Sequence, residues 1–283
     1  MNEHVAKSFE YGFMSQSLSR QIAGCDSYEL APLFRRLLPN YQPVLEAGCG
    51  SGRWCAWFGQ RGIASDGVDW SRELCDRAAS EISGSRFIAC DMQHTPFADA
   101  SYGSIVALGS VEHVSEGPAT ALAEFRRVLR PGGVAVITVP YGGPLRRSIR
   151  WLGRLALALK ASPRVRRLFD KPLGGRTLRE ARRGCVAAWF PRFGFDEEGW
   201  AFYEYEFNRH QMRGFMDDAG FGVVEEFVAF GNEGILQNFG RAAGRWDAER
   251  GDVAFTLLGR LLRRIIPVTI MGHMLVYVVL KKD

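Results

Sequence analysis

No apolar run in this chain is long enough to cross a bilayer. The longest nearly uncharged one, Pro267 to Leu280, falls short of the roughly 20 residues that a spanning helix needs, so no transmembrane segment is expected. A secretory leader is not expected either, because Glu3, His4, Lys7 and Glu10 interrupt the apolar residues of Met1 to Phe13 and leave no h-region. The six cysteines (Cys25, Cys49, Cys55, Cys75, Cys90 and Cys185) contain no CxxC pair and no Cys/His spacing of a structural zinc site. They read as reduced thiols, mostly small core residues, in a cytoplasmic protein without a metal requirement. Internal repeats and low-complexity tracts are missing too. What is present is ordinary: 47% hydrophobic and 24% charged residues in 283 positions. That balance can bury a full core, and it excludes disorder, collagen and coiled coil as descriptions of the whole chain. The length suits one large domain, or one domain with a sizeable insertion.

The formal net charge of +5 is unevenly spread. Between Gly142 and Arg192 stand fourteen Lys and Arg against only Asp170 and Glu180, so the rest of the chain is net acidic. The sequence therefore divides into 1–141, a cofactor-binding core with N-terminal helices; 142–207, a basic and aromatic lid or substrate insertion; and 208–283, which completes the core sheet.

Before the insertion, short β-branched runs alternate with segments of helical period. Strands are expected at Pro43 to Ala47, Ala64 to Asp69, Arg86 to Cys90, Ser104 to Leu108 and Val134 to Val139, with helices at Arg53 to Gln60, Arg72 to Ile82 and Ala119 to Leu129. Ser71 is a good N-cap for the second helix, and Arg130-Pro131-Gly132-Gly133 stops the third. After the insertion follow a helix over Arg209 to Ala219 and strands at Val223 to Phe230 and Met274 to Leu280. Strand, helix, strand in repetition means a parallel sheet with right-handed crossovers and helices on both faces.

The most informative stretch is Val44-Leu45-Glu46-Ala47-Gly48-Cys49-Gly50-Ser51-Gly52-Arg53-Trp54. A strand runs through a triple-glycine turn into a helix, so backbone can approach a ligand and helix N–H groups can face it. A nicotinamide dinucleotide fingerprint would want glycine where Arg53 stands. The GxGxG spacing suits a nucleoside without a pyrophosphate better, which disfavours an NAD-dependent oxidoreductase. Asp69, followed by Trp70, closes the second strand, where a carboxylate can accept from both ribose hydroxyls. Asp91 and Met92 follow the third strand, offering an acceptor for an adenine amino group and a soft apolar surface.

These motifs, together with Leu108-Gly109-Ser110-Val111-Glu112-His113-Val114, Arg127 to Gly133 and Met216-Asp217-Asp218-Ala219-Gly220-Phe221, resemble the class I S-adenosylmethionine-dependent methyltransferases, most closely the UbiE-like or methyltransferase type 11 group. The resemblance is strong over Val44 to Pro140 and moderate over Asn208 to Phe230. It implies an α/β, doubly wound, Rossmann-like sheet of seven mostly parallel strands with an antiparallel last strand, here with a basic helical and aromatic insertion. It also implies S-adenosyl-L-methionine as cofactor. Carried over, Glu46 and the backbone of Gly48, Cys49, Gly50 and Gly52 would hold the methionine portion, Asp69 the ribose, and Asp91 with Met92 the adenine. Trp70 would join that site, and Ser110 and His113 would face cofactor or acceptor.

Methyl transfer from a sulfonium is an in-line displacement, so the protein chiefly positions the reactants and excludes water. If the acceptor is a hydroxyl, His113 could take its proton, against a packing role for the same side chain. Tyr141 could orient an acceptor at the end of the fifth strand. His4, His94, His210 and His273 have weaker claims. In the insertion, Arg146, Arg147, Arg150 and Arg154 alternate with Leu145, Ile149, Trp151, Leu152 and Leu155, and a second such piece is Leu257 to Ile266 with Arg260, Arg263 and Arg264. Both read as cationic amphipathic helices for an anionic membrane, at the inner face. The same charge, with Trp189, Phe190, Phe193 and Phe195 as stacking platforms, would serve an RNA methyltransferase, a reading ranked lower because no RNA-binding module is visible. A third reading of the insertion is a solvated lid whose arginines pair with the acidic body. The reaction expected is O- or C-methylation of a small-molecule or lipid-like acceptor; the alternative of another class is a noncatalytic cofactor-binding relative. Oligomeric state stays open.

Overall fold

A computed structural model describes residue 10 and residues 12–149, 178–196, 199–247 and 252–282. Helices α1 (Leu18–Cys25) and α2 (Ala31–Leu37) precede the first strand. Then β1 (Val44–Ala47), α3 (Arg53–Gly59), β2 (Ser65–Asp69), α4 (Arg72–Glu81), β3 (Phe87–Ala89), β4 (Tyr102–Leu108), α5 (Ala119–Val128) and β5 (Leu129–Pro140) follow as strand–helix alternation. Within the insertion, β6 (Pro191–Asp196) and β7 (Gly199–Tyr205) form an antiparallel hairpin. The remainder runs through α6 (Arg209–Asp218), β8 (Phe221–Ala229), α7 (Gly231–Phe239), the hairpin β9 (Gly244–Asp247) with β10 (Asp252–Phe255), α8 (Leu257–Ile265), a single turn at Val268–Met271, and β11 (Met274–Lys281).

Seven strands make one sheet in the order β3-β2-β1-β4-β5-β11-β8. β1 to β5 run parallel to one another, and β11 is antiparallel to both β5 and β8. This is the doubly wound sheet with an antiparallel last strand that the motifs implied. Side chains alternate along each strand and so sort to two cores. Leu45, Ile105, Ala107, Ile137 and Tyr277 pack with α5 and α6 on one face. Val44, Val106, Val136, Val276 and Val278 meet α2 and the Trp54, Trp57 and Phe58 face of α3 on the other.

Local signals act as expected at several boundaries. The Ser71 hydroxyl accepts from the Leu74 N–H at 3.2 Å and caps α4. Asn208 and Gln211 form a reciprocal capping box on α6. The fifth strand differs: β5 begins at Leu129, five residues before the expected start at Val134, because α5 ends in a residue already extended that pairs with Tyr102, after which residues 130–133, with Gly132 at φ +70°, bulge out before the ladder resumes at Val134.

Of the first cationic helix, Arg150 and Arg154 lie outside the described residues. Arg146 is described, and its expected place on an outer charged face is wrong. It is buried, with Nη2 2.8 Å from Glu206 Oε1. The reason is electrostatic: Glu204 and Glu206 are themselves buried, and Arg146 and Arg192 supply the charge they need. Burial, with those two guanidinium groups beside it, pushes His273 down to about 3. The insertion's aromatics are also packed rather than displayed. Trp189 meets Tyr205 and Phe215 edge-on at 5.4 and 5.1 Å, and Phe202 leans on Tyr205 at 4.7 Å.

Candidate active site

The carboxyl ends of β1, β2, β3 and β4 meet at one sheet edge, around a cavity of about 240 Å³. In a doubly wound sheet this is where neighbouring crossovers diverge and leave a crevice. Gly48 borders it from the loop after β1, and Asp69, Trp70 and Leu74 from β2 and α4. Asp91, Met92 and Gln93 border it after β3, and Gly109, Ser110 and His113 after β4.

Asp69 is a buried carboxylate with two fixed tasks. Its Oδ2 accepts from the Gly50 N–H at 2.8 Å and its Oδ1 from the Ser71 N–H at 2.9 Å. It therefore ties the glycine loop to the start of α4. Burial pushes its pKa up, against the pull of those amides. Each oxygen retains a further lone pair for a ligand hydroxyl.

The glycine loop engages several of its own N–H groups within the protein. The N–H groups of Gly48 and Cys49 both donate to Val68 O, that of Gly50 to Asp69, and that of Gly52 to Cys49 O. The loop thus spends these donors on holding its own shape. Gly48 at φ +80° would place a Cβ 2.7 Å from Ser110 Cβ, and Gly50 at φ +53° one 2.9 Å from the Phe13 ring. Both backbone conformation and space demand glycine there. Cys49 keeps its thiol buried, against Gly67.

Glu46 does not line the cavity. Its carboxyl is buried at the start of α3, where Oε2 accepts from the Cys55 N–H and thiol at 3.2 Å each. Burial, only partly offset by Cys55 and Arg53, raises its pKa to about 8. Tyr141 is likewise absent from the lining, and its N–H donates to His273 O at 2.8 Å while its ring packs in the core.

His113 does line the cavity. Its Nδ1 stands 2.7 Å from Tyr203 O, and since a carbonyl only accepts, Nδ1 carries the proton and Nε2 is the basic nitrogen. Burial lowers its pKa and keeps it neutral. Beside it stand two residues that sequence reasoning missed. Glu112, His113 and Glu204 bring ligand-type atoms within 4.8 Å of one another. Glu112 is fully buried, Oε2 finds no hydrogen-bond partner among the described residues, and burial next to Glu204 drives its pKa far up, so it is held as the neutral acid. Glu112 sits in a quoted motif, but Glu204 comes from β7, ninety-two positions away in the chain numbering, and no local pattern joins the two.

A further missed residue is Phe13, which lines the cavity and covers Gly50. Gln21 holds that segment by donating to Phe13 O at 2.9 Å, while Ser51 donates to Gln21 Oε1 at 2.6 Å. Glu10 accepts from the Ser71 hydroxyl at 2.5 Å. The N-terminal segment is thereby clamped over the glycine loop. Its only sequence signal was the spacing of Phe9, Tyr11 and Phe13.

Residues 45–137 match the family model of the methyltransferase domain. This stretch is a methyltransferase domain. Relatives include the malonyl-[acyl-carrier protein] O-methyltransferase of Erwinia pyrifoliae, 34% identical over 133 residues, which span 43% of this chain and 49% of that protein. Methyltransferase GfsG of Streptomyces halstedii is 36% identical over 110 residues, covering 36% of this chain and 39% of that one. The chain thus spans about half the length, or less, of these curated relatives.

Among solved structures, the 1,6-didemethyltoxoflavin-N1-methyltransferase of Burkholderia thailandensis, with bound 1,6-didemethyltoxoflavin and S-adenosylhomocysteine, matches with a TM-score of 0.51. The match covers 100% of this chain and 92% of that one at 17% identity. A putative methyltransferase of Haloferax volcanii, in complex with the Trm112 activator, matches at TM-score 0.53 and 16% identity over 94% of each chain. At such identities the likeness is one of fold.

The methyltransferase domain's own residues fit an S-adenosyl cofactor. A buried carboxylate (Asp69) and an exposed one (Asp91) sit on adjacent strand ends with apolar walls between them from Trp70, Leu74 and Met92. Ser110 Oγ is buried at the far wall without a hydrogen-bond partner among the described residues. That donor set suits a nucleoside with a polar tail.

Proposed function

We propose that this chain is an S-adenosylmethionine-dependent methyltransferase whose acceptor is a small or lipid-like molecule, methylated on oxygen or carbon, with contact to the inner membrane face. The observation that supports it most is the cavity wall itself, which carries Asp69, Asp91 with Met92, and Ser110 with His113 at three successive strand ends. Asp69 would take the ribose hydroxyls, Asp91 the adenine amino group, with Trp70 and Met92 against the ring. The Gly48 to Gly52 loop would lie against the methionine portion, with Ser110 at its side.

When bound, S-adenosylmethionine supplies a methyl group already activated on sulfur. The chain's part is to hold an acceptor in line and keep water out. For a hydroxyl acceptor, His113 would receive the proton on Nε2, its ring fixed by the Tyr203 carbonyl. Burial holds that ring neutral, so it can accept a proton. The acidic partners of Arg146 and Arg192 and the packed aromatics favour this reading over an RNA acceptor.

Incubating the purified protein with methyl-labelled cofactor and host-cell extract, then fractionating the label, tests the proposal. Label is expected in the organic or small-molecule fraction. Label in RNA, or none at all although S-adenosylhomocysteine binds, would reverse it.

A further inference from the structure

Helix α8 faces the opposite way from an ordinary core helix. At roughly 100° per residue, Leu257, Leu258, Leu261, Leu262 and Ile265 fall on one arc, while Arg260, Arg263 and Arg264 fall on the other, with no acidic residue in the helix. A globular protein normally turns such a leucine arc inward. Here the inward position is Gly259, where a Cβ would lie 1.9 Å from the Ala243 carbonyl oxygen. The same side carries Arg263, whose guanidinium lies over the Phe255 ring at 5.9 Å. Among the apolar residues only Leu262 is tucked in, against the small cluster of Ile235, Ala243 and Met271.

The rest of the arc is turned out. Leu257 is 80% exposed, Ile265 65% and Leu261 53%. Val268 and Ile270, exposed in the next turn, extend the patch. That turn leads into β11, whose first residue, Met274, pairs with Pro140 at the end of β5 and with Ala229 at the end of β8. The patch therefore lies at the same sheet edge as the cavity.

We propose that α8 and the Val268–Met271 turn are a docking surface for an anionic lipid bilayer. The leucine arc would seat at the boundary between headgroups and acyl chains, and Arg260 and Arg264, which border it, would reach the phosphates. Charge selects this occupant. A second copy would bring three arginines of one helix against three of another. The chain's own 150–176 stretch, with eight Lys and Arg against Asp170 alone, would be repelled. A surface of lipid phosphates attracts all of them.

The proposal deepens the lipid-like acceptor reading and rests on it for its purpose, since it brings the cavity edge to the bilayer; its test needs no methyl transfer. The full chain is sedimented with phosphatidylcholine vesicles, with and without phosphatidylglycerol. The wild type is expected to pellet with the anionic vesicles, Leu261→Glu/Ile265→Glu to lose roughly tenfold or more in partitioning, and Arg260→Gln/Arg264→Gln to lose the preference for anionic lipid. Retained S-adenosylhomocysteine binding shows that the variants are folded, while failure of the wild type to bind it would strike the cofactor reading and not the docking surface. Wild type that stays in the supernatant at low salt overturns the docking surface, as does a Leu261→Glu/Ile265→Glu variant that pellets like wild type. A dimer in light scattering that the same variant dissociates, without vesicle binding, assigns the face to a second copy and also overturns it.

Discussion

Asp69 shows how much one carboxylate can do at a strand end. It holds Gly50 and Ser71 by their amides, so Asp69→Ala removes the loop's tie as well as the proposed ribose acceptor. Titration calorimetry with S-adenosylhomocysteine should show affinity reduced by roughly tenfold or more; unchanged affinity would remove Asp69 from the ribose site. Glu46 gives a pH signature. Its carboxyl is raised to about 8 by burial, so the stability gained by burying the neutral acid is full below the unfolded value of 4.5 and lost as pH rises to about 8. If the ammonium end of the cofactor's methionine portion approaches Glu46, binding favours the carboxylate and releases a proton. Affinity should then climb between pH 6 and 8, and level off above, within roughly a unit of that pKa. Calorimetry in two buffers of different ionisation enthalpy counts the proton, and Glu46→Gln should abolish both the release and the pH slope. The positions of Asp69, Asp91 and Ser110 at strand ends could be read from the chain because each lies next to its strand. Glu204 and Phe13 could not, because only the folded chain brings them to the site.

Among the elements, the β6–β7 hairpin is the one proposed to shape the acceptor side. Tyr205 on β7 donates its hydroxyl to Ser115 O at 2.6 Å and receives the Val186 N–H at 3.1 Å. Trp189 lies so close to Gly117, where a Cβ would meet its ring at 2.4 Å, that loop and hairpin form one unit. Tyr205→Phe deletes both hydrogen bonds inside the core. It is expected to lower stability by about 1–3 kcal/mol, seen as an earlier urea midpoint. The loop after β4 carries His113 to Glu116 of the cavity wall, so the variant should raise KM for the acceptor more than Kd for S-adenosylhomocysteine. An equal rise in both would mean that the hairpin does not shape the acceptor side. The sheet strands were legible because their apolar runs and the turn residues agreed. The hairpin was not, since Phe193 and Phe195, although two apart as in a strand, also read as stacking platforms. β9 and β10 escaped for a related reason: four residues each, with charges at Arg245, Asp247 and Asp252, give no alternation to detect. α1 and α2 carry only the short start signals of Ser17 and Pro32; α2 packs on the Trp54 and Trp57 face, and α1 also sets Leu18 against Ala78 and Ile82.

At the scale of the whole molecule, the uneven charge becomes a fastening. Inside the basic insertion, Arg146 and Arg192 pair with Glu204 and Glu206 and tie its first residues to its hairpin, while the Leu257 to Ile266 segment keeps its cations outside. Two regions with the same composition thus serve opposite ends, and composition alone could not separate them, because the deciding carboxylates lie on β7 and just after it. The fastening predicts a contrast between ion pairs. Glu206 is 1% exposed, so Glu206→Gln leaves buried guanidinium charge uncompensated and should destabilise the fold by about 3–5 kcal/mol. Asp217 pairs with Lys282 at 2.7 Å, but the two side chains are 75% and 51% exposed. Asp217→Asn should therefore change stability little, and less still in high salt. Urea unfolding of both variants beside the wild type measures the difference. Equal small effects would mean that water reaches the Arg146–Glu206 pair and that the insertion is held by its aromatics alone. The expected large effect for Glu206, insensitive to salt, would make the buried charge pair what holds the two ends of the insertion together.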